Sequence, residues 1–175
     1  MPEWIPTQSS AKGRLVLAAL ERFADDGYDD VGVGDLSAAA GVTTGALYHH
    51  FGSKLGLYAV ARTDIERRVL DRLHGAVAAR SGDLPGAAAR AALLVAFDFL
   101  VDQRLARLLA EPHPDRPSDP IERYVASVAD QGDVPIGSVL VAAWRAALRG
   151  VIDGVRADRA RAALSAIHIE ELAAA

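Results

Sequence analysis

The chain has 175 residues, 51% of them hydrophobic, with 19 Lys and Arg against 23 Asp and Glu and a formal net charge of −4. That length suffices for one or two small domains with true cores, and the absence of cysteine excludes disulfides, thiolate nucleophiles and cysteine zinc sites. No apolar run approaches the ~20 residues that span a bilayer, and the start MPEWIPTQSS lacks the basic and apolar stretches of a signal peptide, so a cytoplasmic protein with no membrane partner is expected.

Alanine, leucine and arginine dominate and no alternating β-branched run occurs, so the chain reads as all-α. The first helix is predicted from Ala11 to Asp26, with Val16, Ala19, Leu20 and Phe23 as its buried stripe and Gly27 as a left-handed cap. A second begins near Gly32, and its Leu36, Ala39 and Ala40 recur at spacings of three and four before the turn at Gly41. Thr43 suits the N-cap of a third helix. That helix carries Thr44, Tyr48 and His49, hydroxyl and imidazole groups suited to phosphate oxygens and base edges. Leu47 and Phe51 fall on its opposite side and read as core, and no acidic residue follows Asp35 until Asp64. Two short helices across a glycine turn are how a helix-turn-helix reads when its second helix enters the DNA major groove. The residues alone also fit a helical hairpin within an enzyme or carrier. Adjacent His49 and His50 lack the i, i+4 spacing that metals favour, so no metal or cofactor is expected.

A fourth helix starts after Ser53 and runs through Leu57, Val60, Ile65, Val69 and Leu73 to about Arg80, where Ser81-Gly82-Asp83 breaks it. A fifth follows Pro85, carries Ala89, Leu93, Phe97 and Leu100, and stops at Asp102-Gln103 before a short helix from Arg104 to Ala110. The segment EPHPDRPSDP, with four prolines, cannot be regular helix; as an open loop from Glu111 to Pro120 it is also a conceivable attachment surface for a controlling protein partner. A short helix from Ile121 to Ala129 and the loop QGDVP lead into two last helices, Ile136 to Gly150 and Ala157 to Leu172. In the first of these, Ile136, Val139, Leu140, Ala143, Trp144, Ala147, Leu148 and Val151 form a face wider than a single core contact requires, and Ala160, Ala163, Leu164 and Ile167 match it in the second.

Charge is unevenly spread. Residues 1–56 carry Lys12, Arg14, Arg22 and Lys54 against seven acids, but the acids cluster around the end of the first helix and the loop after it. A narrow binding face of modest affinity, relying on two copies per site, is expected.

From Lys12 to Ala61 the sequence places Ala19, Phe23 and Gly27, then Leu-x-x-Ala-Ala-Gly-Val, then Leu-Tyr-His-His-Phe-Gly-Ser-Lys, and so resembles the N-terminal DNA-binding domain of the TetR family of transcriptional regulators. The resemblance implies a helix-turn-helix domain over 1–55 and a helical ligand-binding and dimerisation domain over 56–175. It implies a DNA-reading set of Thr43, Thr44, Gly45 and Tyr48, with His49 and Lys54 on phosphates. It further implies a homodimer on an inverted-repeat operator, most simply a repressor released by a small-molecule effector. The interface would draw on Val139, Ala143, Trp144 and Ala147, with Ala160, Leu164 and Ile167 from the closing helix. An effector pocket would draw on Phe97, Leu100, Val101, Leu108, Tyr124, Val128 and Trp144, with Arg104 and His113 as polar contacts. Three positions depart from the family pattern: Gly32 replaces a capping threonine, Gly34 a long polar side chain, and Ala46 a phosphate-touching threonine. Each glycine should weaken the second helix by ~1 kcal/mol.

Overall fold

A computed structural model of the chain describes residues 10–111 and 118–168. Among these residues are nine α-helices: α1 (Ala11–Asp25), α2 (Val33–Ala39), α3 (Thr44–Phe51), α4 (Lys54–Ala78), α5 (Pro85–Asp102), α6 (Ala106–Ala110), α7 (Pro120–Ala129), α8 (Ile136–Ile152) and α9 (Ala157–Ser165). The only extended pairing among them is an isolated bridge between Gln131 and Val134. The chain is all-α, and it divides into two compact units between Ile65 and Glu66, inside α4. The division lies beyond the 55/56 boundary read from the sequence because the start of α4 belongs to the first core. There Leu57, Tyr58 and Ala61 are buried, and the Tyr58 ring meets Phe23 and Tyr28 edge-on at centroid distances of 5.2 and 5.0 Å.

In the first unit the Ser10 hydroxyl caps α1 by accepting a hydrogen bond from the Gly13 N–H at 3.0 Å. The buried face of α1 is Leu15, Ala18, Ala19 and Phe23, whereas Val16 and Leu20 are only half-buried. Spacings of three and four are satisfied by either set in so alanine-rich a helix, and the core selects the one that starts at Leu15. Gly27, at φ 90°, turns the chain out of α1 as expected. At the start of α2, Gly32 has no side chain to cap with, and the Asp35 carboxylate compensates by accepting from the Gly32 N–H at 3.1 Å.

In the second unit α8 packs against α5, α6, α7 and α9. Trp144, Leu140 and Leu148 from α8 are closed off from solvent, as are Leu93, Phe97 and Leu100 of α5 and Leu108 and Leu109 of α6. Asp119 caps α7, one oxygen accepting from the backbone N–H groups of Ile121 and Glu122 at 2.8 and 3.1 Å and the other pairing with Arg145 of α8. Both side chains of that ion pair are about nine-tenths buried, at 9% and 10% exposure. Two arginines hold α9 to α5: Arg161 forks onto Asp98 at 2.7 and 2.9 Å, and Arg90 donates to the carbonyls of Ser165 and Ile167 at 2.6 and 2.9 Å. Those carbonyls mark the end of α9, so Ile167 and His168 lie outside the helix that the sequence extends to Leu172; residues 169–172 are outside the described residues.

Candidate nucleic-acid interface

The turn between α2 and α3 is built on Gly41, whose φ of +63° is a left-handed conformation that a side chain would strain. Thr43 then caps α3, its hydroxyl accepting from the Ala46 N–H at 3.2 Å. A fully buried Leu47 anchors the helix, and Thr43, Thr44, Gly45, Tyr48, His49 and His50 are all exposed, Tyr48 at 53%. Five of the six predicted DNA-reading residues therefore stand on one short exposed stretch. Phe51, expected in the core, is only half-buried, because it is the last helical residue before Gly52 turns the chain at φ +73°. The following approach of α4 to α3 is very close. A Cβ on Gly56 would lie 2.1 Å from the Phe51 carbonyl oxygen.

Lys54 is placed differently from the other five. Its ammonium is partly buried and donates to the carbonyls of Tyr28 at 2.8 Å and Val31 at 3.1 Å, and it sits 4.2 Å from the centre of the Tyr28 ring. Two of the three donors of an ammonium are thus spent holding the loop between α1 and α2. Reading the sequence assigns Lys54 to phosphate alone, without a part in the core; the structure gives it a supporting role that no local spacing signals. Gly34, in contrast, faces open space, with nothing within 4 Å of where its Cβ would be.

In the second unit, Phe97, Leu100, Leu108 and Trp144 are closed core, Val101, Tyr124 and Val128 are half-buried, and Arg104 is an exposed residue in a left-handed turn at φ 59°. His113 lies outside the described residues. Tyr124 rests on the His74 ring at a centroid distance of 4.1 Å, and burial raises its hydroxyl above the ordinary tyrosine value. Two hollows of this unit lie elsewhere. One, of about 250 Å³, is bordered by Asp119, Glu122, Arg123, Ala126 and Ser138. The other, of about 350 Å³, is an apolar groove between α8 and α9, bordered by Ala143, Ala147, Ala160, Leu164 and Ile167. Those five were read from the sequence as interface residues, and Val139, at 61% exposure, stands on the same helix. Trp144 does not join them. It points into the core, since one helical step turns it about 100° away from Ala143.

Among the described residues no cluster of His, Asp or Glu is arranged to hold a metal ion, and no helix is long and apolar enough to cross a membrane.

Residues 15–61, which run from within α1 through the glycine turn and α3 into the start of α4, match the family model described as bacterial regulatory proteins of the tetR family. Over that stretch the chain is similar to the DNA-binding domain of this family. The chain is 37% identical over 103 residues to the HTH-type transcriptional activator FasR of Mycolicibacterium smegmatis, an overlap of 57% of this chain and 45% of that protein. It is 39% identical over 84 residues to an HTH-type transcriptional repressor of Mycobacterium tuberculosis, covering 47% of this chain and 42% of that one. The chain thus spans less than half the length of either relative, and both are transcription regulators rather than enzymes. Among solved structures it resembles a gamma-butyrolactone receptor described as ArpA-like, with a TM-score of 0.55 and 25% identity over 89% of this chain and 82% of that one.

Proposed function

We propose that this chain is a DNA-binding transcriptional regulator that acts as a homodimer, with the unit that ends at Ile65 reading DNA and the unit from Glu66 onward binding an effector and the second subunit. The observation that carries the reading is α3: a capped helix, anchored by one buried leucine, with Thr44, Gly45, Tyr48 and His49 exposed and no acid in the segment, inside the stretch that matches the tetR family. Gly45 lets backbone approach closely to a groove edge, Tyr48 supplies a rigid hydroxyl donor, and Thr43, Thr44 and His49 supply donors for phosphate or base edges. The apolar groove between α8 and α9 supports a symmetric subunit contact. The likeness to a gamma-butyrolactone receptor supports a small-molecule effector.

We further propose repression relieved by that effector, in a cytoplasmic setting. Such an effector must bind the DNA-free arrangement more tightly than the DNA-bound one, and the size of the release equals that difference in affinity. The test is gel retardation of duplexes tiled across the DNA upstream of the chain's own coding sequence. The proposal expects one retarded fragment, competed by itself and not by unrelated duplex. Equal retardation of all fragments, or of none, contradicts it.

A further inference from the structure

We infer, on the strength of the DNA-binding reading above, that Arg14 is a positioning residue: with Lys54 it clamps α2 from both ends, and the clamp keeps a weak helix formed so that the turn at Gly41 presents α3 to DNA at a fixed angle. The Arg14 Nε–H, on α1, donates at 2.9 Å to the carbonyl of Ala40, which is the C-cap of α2 and the last residue before Gly41. At the other end the Lys54 ammonium, on α4, donates to the carbonyls of Tyr28 and Val31, and Val31 directly precedes the N-cap Gly32.

Alone, α2 has little to hold it. It is 7 residues long, well short of the ~12–15 that an isolated helix needs in water. Its N-cap is a glycine with no capping side chain, and Gly34 in its first turn lowers its helix propensity further. Leu36 is its one fully buried large apolar side chain. Beside it the Ser37 hydroxyl, on a residue 2% exposed, has no hydrogen-bond partner, so its burial opposes docking of the helix. Bonds from α1 and α4 to the two ends offset these deficits.

Gly41, Val42 and Thr43 are all that separate the C-cap of α2 from α3, and the Val42 N–H turns back to the Ser37 carbonyl at 3.0 Å. Loosening α2 therefore loosens the footing of α3. DNA then binds only the fraction of chains in which α2 is formed, and the apparent dissociation constant rises by the inverse of that fraction. Such a loss leaves the salt dependence as it was, whereas losing a phosphate contact lowers the slope of log K against log salt by about one.

The experiment compares Arg14→Gln with Arg14→Met in the full chain. Glutamine places an N–H donor the same number of bonds from Cα as the arginine Nε and removes the charge; methionine has a similar length and no donor. Affinity is read by fluorescence anisotropy, over a range of salt, on a duplex recovered from a random pool, and hydrogen exchange is read at the Ala40 and Val42 amides of the free chain. Arg14→Met should bind about fivefold or more weakly, the worth of one hydrogen bond, with the wild-type salt slope and faster exchange at both amides, while Arg14→Gln stays within about twofold of wild type. Added to Arg14→Met, Gly34→Ala should recover most of the lost affinity, because alanine favours the helix and its Cβ meets nothing within 4 Å. Equal affinities of the Gln and Met variants, a salt slope lowered by one in Arg14→Met, or wild-type exchange in it each overturn the inference. Should Arg14→Met fail to fold, Arg14→Gln decides alone, and a fivefold loss in it overturns the inference. Absence of binding by the wild type to any duplex removes the DNA-binding reading, and exchange at Ala40 and Val42 then tests the clamp by itself.

Discussion

At the scale of single residues, Tyr48 and Lys54 separate two kinds of contribution to one surface. Tyr48 is half-exposed on α3, and removing its hydroxyl takes nothing from the core. Tyr48→Phe should weaken DNA binding several-fold, the worth of one hydrogen bond at about 1 kcal/mol, and leave the urea unfolding midpoint unchanged. Lys54 ties Tyr28 and Val31 to the start of α4, so Lys54→Ala should lower unfolding free energy by about 1–3 kcal/mol, from two lost charge-assisted hydrogen bonds and a ring contact. A Lys54→Ala chain that unfolds at the wild-type midpoint would return this residue to phosphate alone. The Thr43 cap and the Gly41 turn were legible in the sequence because each depends on atoms within a few residues. The partners of Lys54 lie 23 and 26 residues away and were not.

Helix starts were likewise legible at Thr43, Ser53 and Pro85, capping or first-turn residues whose preference is local. Which face an alanine-rich helix buries was not, as α1 shows: the choice between Leu15 and Val16 is made by neighbouring helices. The angle between α3 and α4 also escapes local reading, yet it hangs on one atom. A Cβ at position 56 would sit 2.1 Å from the Phe51 carbonyl oxygen, where real Cβ contacts stay above 3.0 Å. Alanine favours a helix over glycine by roughly 1 kcal/mol, but backbone displacement costs about as much or more, typically 1–3 kcal/mol. Gly56→Ala should therefore destabilise the chain by thermal denaturation and weaken DNA binding together; a variant more stable than wild type would show that α4 does not approach so closely. In the second unit, Asp119→Ala removes the cap of α7 and strands a buried Arg145. A loss of about 3–5 kcal/mol is expected in denaturant unfolding.

For the whole molecule, the proposed two-fold dimer rests on the apolar groove of α8 and α9. Trp144 shows the limit of sequence reading at this scale, since the spacing that places Ala143 and Ala147 on an outer face also admits Trp144, and only packing sends its ring inward. If the proposed subunit contact forms there, Ala147→Glu buries an unpaired charge in it, so the variant should sediment as a monomer while a change at the exposed Glu21 should not alter assembly. A dimer with one α3 per subunit presents two reading helices related by a two-fold axis, and its DNA must share that symmetry. Gly34 and Ala46 add no long polar side chain to the reading surface, so only a few base pairs in each half should be strongly specified. The most direct measurement is therefore the set of sequences that the full chain selects from a random duplex pool. The expected result is an inverted repeat whose half-sites lie one helical turn apart, about 34–36 Å, or a near multiple of it; a single asymmetric site or two direct repeats would contradict a symmetric dimer.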